Sequence, residues 1–161
     1  NLIELARRTG SDQFAKELLH ARLLRRRLLA IVTLGHLQER SIWNELAGML
    51  QADNAFLSLV AAKALLHIDA QGAVPLIIPV ISQRKDWSPL KVVAIFEPAG
   101  ADIAAEAIAE AACLASPEIG SRLIRHLAAT QSQHALPPLR ALLQNGSPSD
   151  DLLAACLFLL V

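Results

Sequence analysis

Residues 29–37 read LAIVTLGHL, and 31 positions later residues 60–68 read VAAKALLHI. The same chemistry recurs at three further steps of 31, as KVVAIFEPA from Lys91, RLIRHLAAT from Arg122 and LAACLFLLV from Leu153. Two positions are apolar at every step, one small or aliphatic and one large: Ala30, Ala61, Val92, Leu123 and Ala154, then Leu34, Leu65, Phe96, Leu127 and Phe158. A period of this length is typical of stacked supersecondary units rather than of one enclosed globular core.

The segments between these blocks repeat as well. They read SIWNELAGML from Ser41, GAVPLIIPVI from Gly72, IAAEAIAEAA from Ile103 and HALPPLRALL from His134. Their shared apolar positions fall at i, i+3, i+6 and i+7, which places them on one face of a helix. We name these segments A helices and the nine-residue blocks B helices. The sequence therefore predicts an all-α fold, a right-handed superhelical solenoid of about five stacked helix hairpins that forms a single domain over residues 1–161.

Proline and glycine mark the predicted helix boundaries. Short links are expected at 51–54, 71–72, 116–117 and 145–148. Pro75 lies close to a predicted helix start, where its missing N–H costs little, whereas Pro79 lies deeper and is expected to kink its helix. Glu97 and Pro98 stand where the third B helix should continue. We therefore expect that helix to be shortened or bent.

The clearest two consecutive units, residues 28–82, carry a family resemblance. A B helix of the pattern AxxxLxxI leads through a short loop to an A helix of the pattern avpxLixxL, as in AVPLIIPVI from Ala73. This stretch resembles HEAT repeats, in the short form found in bacterial HEAT-like proteins and phycobilin lyases, and the resemblance extends over about residues 11–161. It implies an armadillo-like solenoid that acts as a protein-binding scaffold, with B helices lining its concave surface. The Arg and Asp that typical units place around the start of helix B are irregular here.

Composition narrows the classes of function. The formal net charge is zero, which argues against a general polyanion binder because phosphate affinity comes from accumulated Lys and Arg. No apolar run approaches the roughly 18 residues that suggest a spanning helix, so we expect no membrane insertion within this segment. The sequence contains no glycine-rich phosphate loop and no nucleophile–base motif. We therefore predict a chain that is not an enzyme and that uses no cofactor.

Basic side chains of the B helices are the candidate binding residues. Lys63 and Arg125 share one position of the repeat, and Lys91 and Arg122 share another. The predicted concave surface is accordingly basic although the whole chain is neutral, and it would suit an acidic protein or peptide. The residues that we predict to line it are Arg25, Lys63, Lys91, Arg122 and Arg125. Phe56 and Trp87, one repeat apart, would form an exposed aromatic ridge or would fill the gap between units.

Two further groups of polar residues are interpreted as structural. His36 and His67 share a position, but helices stack about 10 Å apart, too far for a metal shared through the backbones alone. We expect two histidines at helix C-termini, where the dipole favours them, and no metal site. Asp102, Glu106 and Glu110 lie at i, i+4 and i+8 of one A helix. We expect them to form a solvated face.

The leading functional hypothesis is a non-catalytic scaffold that binds a protein partner on its concave B-helix surface. The alternatives are a nucleic-acid-binding module similar to HEAT-like DNA glycosylases, and an accessory domain of a larger, membrane-tethered protein. The chain starts at Asn1 and ends in an apolar B helix, residues 152–161. We expect truncation at one or both ends, and this last helix would pack on further chain or on a second copy in a homodimer. The absence of targeting signals favours the cytoplasm.

Overall fold

A computed structural model describes residues 2–130, 136–137, 140 and 144 of the chain. Within these residues all regular secondary structure is helical, which confirms the all-α prediction for the described part. No helix there is both long and apolar enough to cross a membrane. A short 3₁₀ turn, Arg40–Ile42, precedes the fourth helix. The helices are α1 (Leu2–Arg8), α2 (Ser11–Leu18), α3 (Leu24–His36), α4 (Trp43–Met49), α5 (Ala55–Ile68), α6 (Ala70–Gln83), α7 (Pro89–Phe96), α8 (Ala101–Leu114) and α9 (Pro117–Ala129).

The helices follow the predicted repeat. B helices correspond to α3, α5, α7 and α9, and A helices to α4, α6 and α8. The two apolar positions of the B helices are buried at all four described steps, and each of these eight side chains is at most 1% exposed. The fourth A helix lies mostly outside the described residues. The last B helix, to which the homodimer prediction applies, lies wholly outside them.

The chain divides into two compact units, Asn1–Ile77 and Ile78–Val161. In the first unit α3 packs against α2 and α5, and α5 also packs against α4. In the second unit α9 packs against both α7 and α8. Consecutive B helices are therefore in contact within each unit, α3 with α5 and α7 with α9.

In the first unit, α3 and α5 approach each other closely where Gly35 faces Ala64. A Cβ atom added to Gly35 would lie 2.8 Å from Cβ of Ala64 and 2.9 Å from its Cα. These distances are shorter than van der Waals contact, so the missing side chain is what lets the two backbones come together. Leu34 and Leu65, which occupy the same position of the repeat, are fully buried beside this contact.

The link between α5 and α6 is the single residue Asp69, which has an extended backbone. Its Oδ1 accepts a hydrogen bond from the Gly72 N–H at 3.2 Å, and its carbonyl accepts one from the Ala73 N–H at 3.0 Å. Asp69 thus caps the first turn of α6. The predicted link at 71–72 is wrong, because the cap starts the helix at Ala70. Pro75 consequently lies in the second turn, and α6 continues through Pro75 and Pro79 to Gln83.

In the second unit, α7 has eight residues and ends before Glu97 and Pro98, which confirms the shortened third B helix. The Phe96 carbonyl accepts hydrogen bonds from the N–H groups of both Ala99 and Gly100. Gly100 then has a φ of 94°, a value that side chains disfavour and that glycine adopts freely. This turn carries the chain into α8 within four residues, Glu97 to Gly100.

Replacing Gly35 by alanine tests the contact between α3 and α5. We expect Gly35→Ala to lower the free energy of unfolding by about 1–3 kcal/mol, because the new methyl group overpacks the interface. The matched control is Gly48→Ala in α4, where an added Cβ meets nothing within 4 Å and helix propensity should raise stability by about 0.5–1 kcal/mol. Urea denaturation measures both. A Gly35→Ala variant as stable as the parent would contradict the close approach.

Candidate functional site

The five basic residues predicted to form one surface are divided between the two units. In the first unit, Arg25 on α3 is exposed and Lys63 on α5 is half-buried. In the second unit, Lys91 lies exposed on α7, while Arg122 and Arg125 lie on α9. Of the five, Arg122 and Arg125 line a common cavity.

This cavity lies in the second unit and has a volume of about 510 Å³. Three segments build it: the loop that follows α6, the N-terminus of α7 and one face of α9 from Glu118 to His126. The basic residues Lys85, Arg122 and Arg125 line it, together with the acidic Glu118. The other lining residues are Trp87, Ser88, Pro89 and His126. The arrangement concentrates positive charge in a concave site of a chain with no net charge.

Helical spacing explains why α9 presents its charges to the cavity. Glu118, Arg122 and Arg125 lie at i, i+4 and i+7, so they share one face. Leu123 and Leu127 on the opposite side are fully buried. Burial of this apolar face therefore fixes the rotation of α9 and leaves its charged face on the cavity.

An ion pair holds the loop between α6 and α7. The Arg84 guanidinium donates two hydrogen bonds to the Asp86 carboxylate, at 2.9 Å to Oδ1 and 2.7 Å to Oδ2. These bonds hold the pKa of Asp86 below its ordinary value, with Lys91 as a weaker positive neighbour. The Lys91 Nζ also donates to the Asp86 carbonyl at 3.5 Å. The Asp86 carboxylate is therefore paired with Arg84, whereas the neighbouring Lys85 lines the cavity.

Two buried side chains in the wall have polar atoms without a hydrogen-bond partner in the described part of the chain. Trp87 and His126 are each 2% exposed. The unpartnered atoms are Nε1 of Trp87, a donor, and Nδ1 of His126. Leaving a buried polar atom unpaired costs about 1–3 kcal/mol, so both positions favour a polar group bound nearby.

His126 is kept neutral although it belongs to a charged site. Burial, together with the smaller effect of the guanidinium groups of Arg125 and Arg122, lowers the pKa of its imidazole to about 4. At neutral pH the cavity therefore holds three positive charges, from Lys85, Arg122 and Arg125, against the one carboxylate of Glu118.

The start of α7 adds positive potential at the same place. Ser88 occupies the N-cap position, but its hydroxyl makes no capping hydrogen bond, and Pro89 is the first helical residue. The free N–H groups of a first helical turn carry a partial positive charge and attract anions. The Ser88 hydroxyl, which also lines the cavity, is available as a further donor.

Phe56 and Trp87 do not form an exposed aromatic ridge. Phe56 is 64% exposed in the first unit, whereas Trp87 is buried in the second. The exposed-ridge interpretation therefore does not apply to Trp87. Its ring contributes to the cavity wall.

His36 and His67 are closer than the stacking distance of the helices suggests. Their ring centroids lie 4.3 Å apart, with the planes tilted by 51°. The reason is the contact of Gly35 with Ala64 one turn or less away, which brings the ends of α3 and α5 together. Among the described residues, no group of three or more His, Cys, Asp and Glu side chains could hold a metal ion. Asp102, Glu106 and Glu110 are all exposed, as predicted.

Sequence reasoning missed five residues of the cavity, Lys85, Ser88 and Pro89 around the start of α7 and Glu118 and His126 on α9. Glu118 and His126 follow the same helical spacing as the predicted arginines, so the polar face of α9 was a usable signal. Lys85 and Ser88 lie in a loop, which carries no periodicity. Nothing in the sequence pattern indicates that this loop meets α9.

Acid should destabilise the protein through His126. From pH 6.5 down to about 4, the unfolded chain binds a proton at this residue that the folded chain excludes, so stability falls as the pH falls. The full shift corresponds to about 3 kcal/mol at about 1.4 kcal/mol per pH unit. In urea denaturation at neutral pH and at the acidic end of this window, His126→Gln should show a smaller acid-induced loss. The exposed His20→Gln is the control, and an unchanged loss in His126→Gln would contradict this assignment.

Comparisons of this chain with protein-family models, with curated proteins and with solved structures give no match.

Proposed function

We propose that this chain is a non-catalytic binding module of the HEAT-like solenoid type, which holds an acidic segment of a partner protein. The cavity is the observation that carries the proposal. Lys85, Arg122 and Arg125 converge there from two segments of the chain, with Glu118 as the one carboxylate in its lining. A net positive, concave site suits an anionic side chain and gives the partner a defined position.

Contacts between neighbouring B helices support the solenoid part of the proposal. Packing of α3 on α5 and of α7 on α9 is the arrangement expected when each helical hairpin covers the apolar face of the previous one. The buried positions 31 residues apart agree with this arrangement in both units. Repetition of such hairpins forms an extended surface along which a peptide can lie.

A protein partner is favoured over nucleic acid by the aromatic and charge content of the site. Single-stranded nucleic acid is held by aromatic rings that stack on bases and by long basic grooves. At the cavity the aromatic residue is Trp87, and its ring is buried. The cationic part of the site is three residues, which fits one or two acidic side chains.

Charge reversal at the cavity tests this function. We expect the triple variant Lys85→Glu, Arg122→Glu and Arg125→Glu to weaken binding of a labelled peptide of alternating Asp and Glu by at least about a hundredfold. Each charge-assisted hydrogen bond contributes about 1.5–3 kcal/mol. Fluorescence anisotropy at low ionic strength measures the affinity, and circular dichroism verifies that the helices remain.

The matched control carries the same change in charge in the first unit, at the exposed Arg22, Arg25 and Arg26. This control should keep most of the affinity. Equal losses in both triple variants would contradict a localised site, and failure of the parent protein to bind the peptide would contradict the function. A duplex DNA oligonucleotide that binds more tightly than the peptide would replace the proposal with the nucleic-acid alternative.

A further inference from the structure

We propose that the cavity formed by Lys85, Trp87, Ser88, Arg122 and Arg125 receives a phosphomonoester group, carried as phosphoserine or phosphothreonine on the acidic segment of the partner. This inference rests on the proposed function and makes it more specific. It names the group that occupies the cavity.

The charges of the cavity match those of a phosphomonoester. Three cations and one carboxylate leave two net positive charges, since the buried His126 stays neutral at pH 7. A phosphorylated side chain carries about 1.5 to 2 negative charges at this pH. A carboxylate carries a single negative charge, which would leave about half of the positive charge of the site uncompensated.

The donors of the cavity also exceed what a carboxylate can use. Arg122 and Arg125 each offer a planar fork that fits two oxygens of one phosphate, and Lys85 adds a compact ammonium group. Ser88 adds a hydroxyl that makes no capping bond at the start of α7. A phosphomonoester presents three terminal oxygens, each with more than one acceptor position, whereas a carboxylate presents two.

A second, independent observation comes from the buried wall of the site. Trp87 is 2% exposed, it lines the cavity, and its indole N–H has no acceptor among the described residues. An oxyanion bound in the cavity would lie against this ring, and the buried N–H group would donate to it after a small movement of the indole. A donor left unpaired in the wall of a net positive cavity is expected where an anionic acceptor binds.

The size of the cavity indicates a phosphate group attached to a larger ligand. A volume of about 510 Å³ lies within the range of about 300–1,000 Å³ that is usual for ligand sites and greatly exceeds one phosphate group. The remaining space accommodates the side chain that carries the phosphate and its peptide neighbours.

Three synthetic peptides that differ at one central residue test the inference on the full chain. The residue is phosphoserine, glutamate or serine, and the flanking sequence is acidic in all three. We expect the phosphoserine peptide to bind at least about tenfold more tightly than the glutamate peptide in isothermal titration calorimetry. Lys85→Met and Arg122→Met should abolish this preference. The exposed Arg25→Met on α3, which belongs to the first unit and lies outside the cavity lining, should retain it.

A variant that is expected to bind more tightly is informative because unfolding of the protein cannot produce a gain in affinity. Glu118→Gln removes the carboxylate of the cavity, so the phosphoserine peptide should bind several-fold more tightly. Equal affinity for phosphoserine and glutamate peptides would overturn this inference and leave the proposed function intact, whereas binding of neither peptide would overturn both. Three other results would also overturn the inference. They are a preference for phosphoserine that persists in Lys85→Met and Arg122→Met, weaker binding of the phosphoserine peptide by Glu118→Gln, and tighter binding of inorganic phosphate than of the phosphopeptide.

Discussion

Burial of the same two positions in every B helix is the constraint on which the rest of the structure depends. Each described B helix must cover a small or aliphatic residue and, four residues later, a large one, and all eight of these side chains are excluded from water. The helical period then decides where every other side chain of that helix points. On α9, the burial of Leu123 and Leu127 orients Arg122 and Arg125 toward the cavity, so packing and site share one cause.

The parts of the fold that could be predicted are those that depend on local periodicity. The order of the helices and the identity of the buried positions follow from apolar residues at helical spacing, and the early end of α7 follows from Pro98. The periodic pattern predicts a link at 71–72, but α6 already starts at Ala70, because the Asp69 side chain caps its first turn. The sequence pattern does not predict the proximity of His36 to His67, because Gly35 allows their helices to come closer together than helices usually pack.

The cavity was predictable only in part, for a related reason. Arg122 and Arg125 lie on a helix, where spacing shows that they share a face. Lys85, Trp87 and Ser88 belong to a loop, and their place depends on the Arg84–Asp86 ion pair and on the packing of α7 against α9. Tertiary packing of this kind brings together residues about 35 positions apart, and no periodic pattern records it. The repeat alone predicts that Arg25 and Lys63 of the first unit share a surface with Arg122 and Arg125.

Aromatic residues are scarce in this chain, and their distribution has a practical consequence. The sequence contains two tryptophans and no tyrosine. Trp43 belongs to the first unit and Trp87 to the second. Near-ultraviolet emission therefore arises from a single indole in each half of the molecule, and the one in the second half borders the cavity. Each unit thus contains its own optical probe, so that in a variant with one tryptophan replaced the remaining indole reports the melting of its own half without any attached dye.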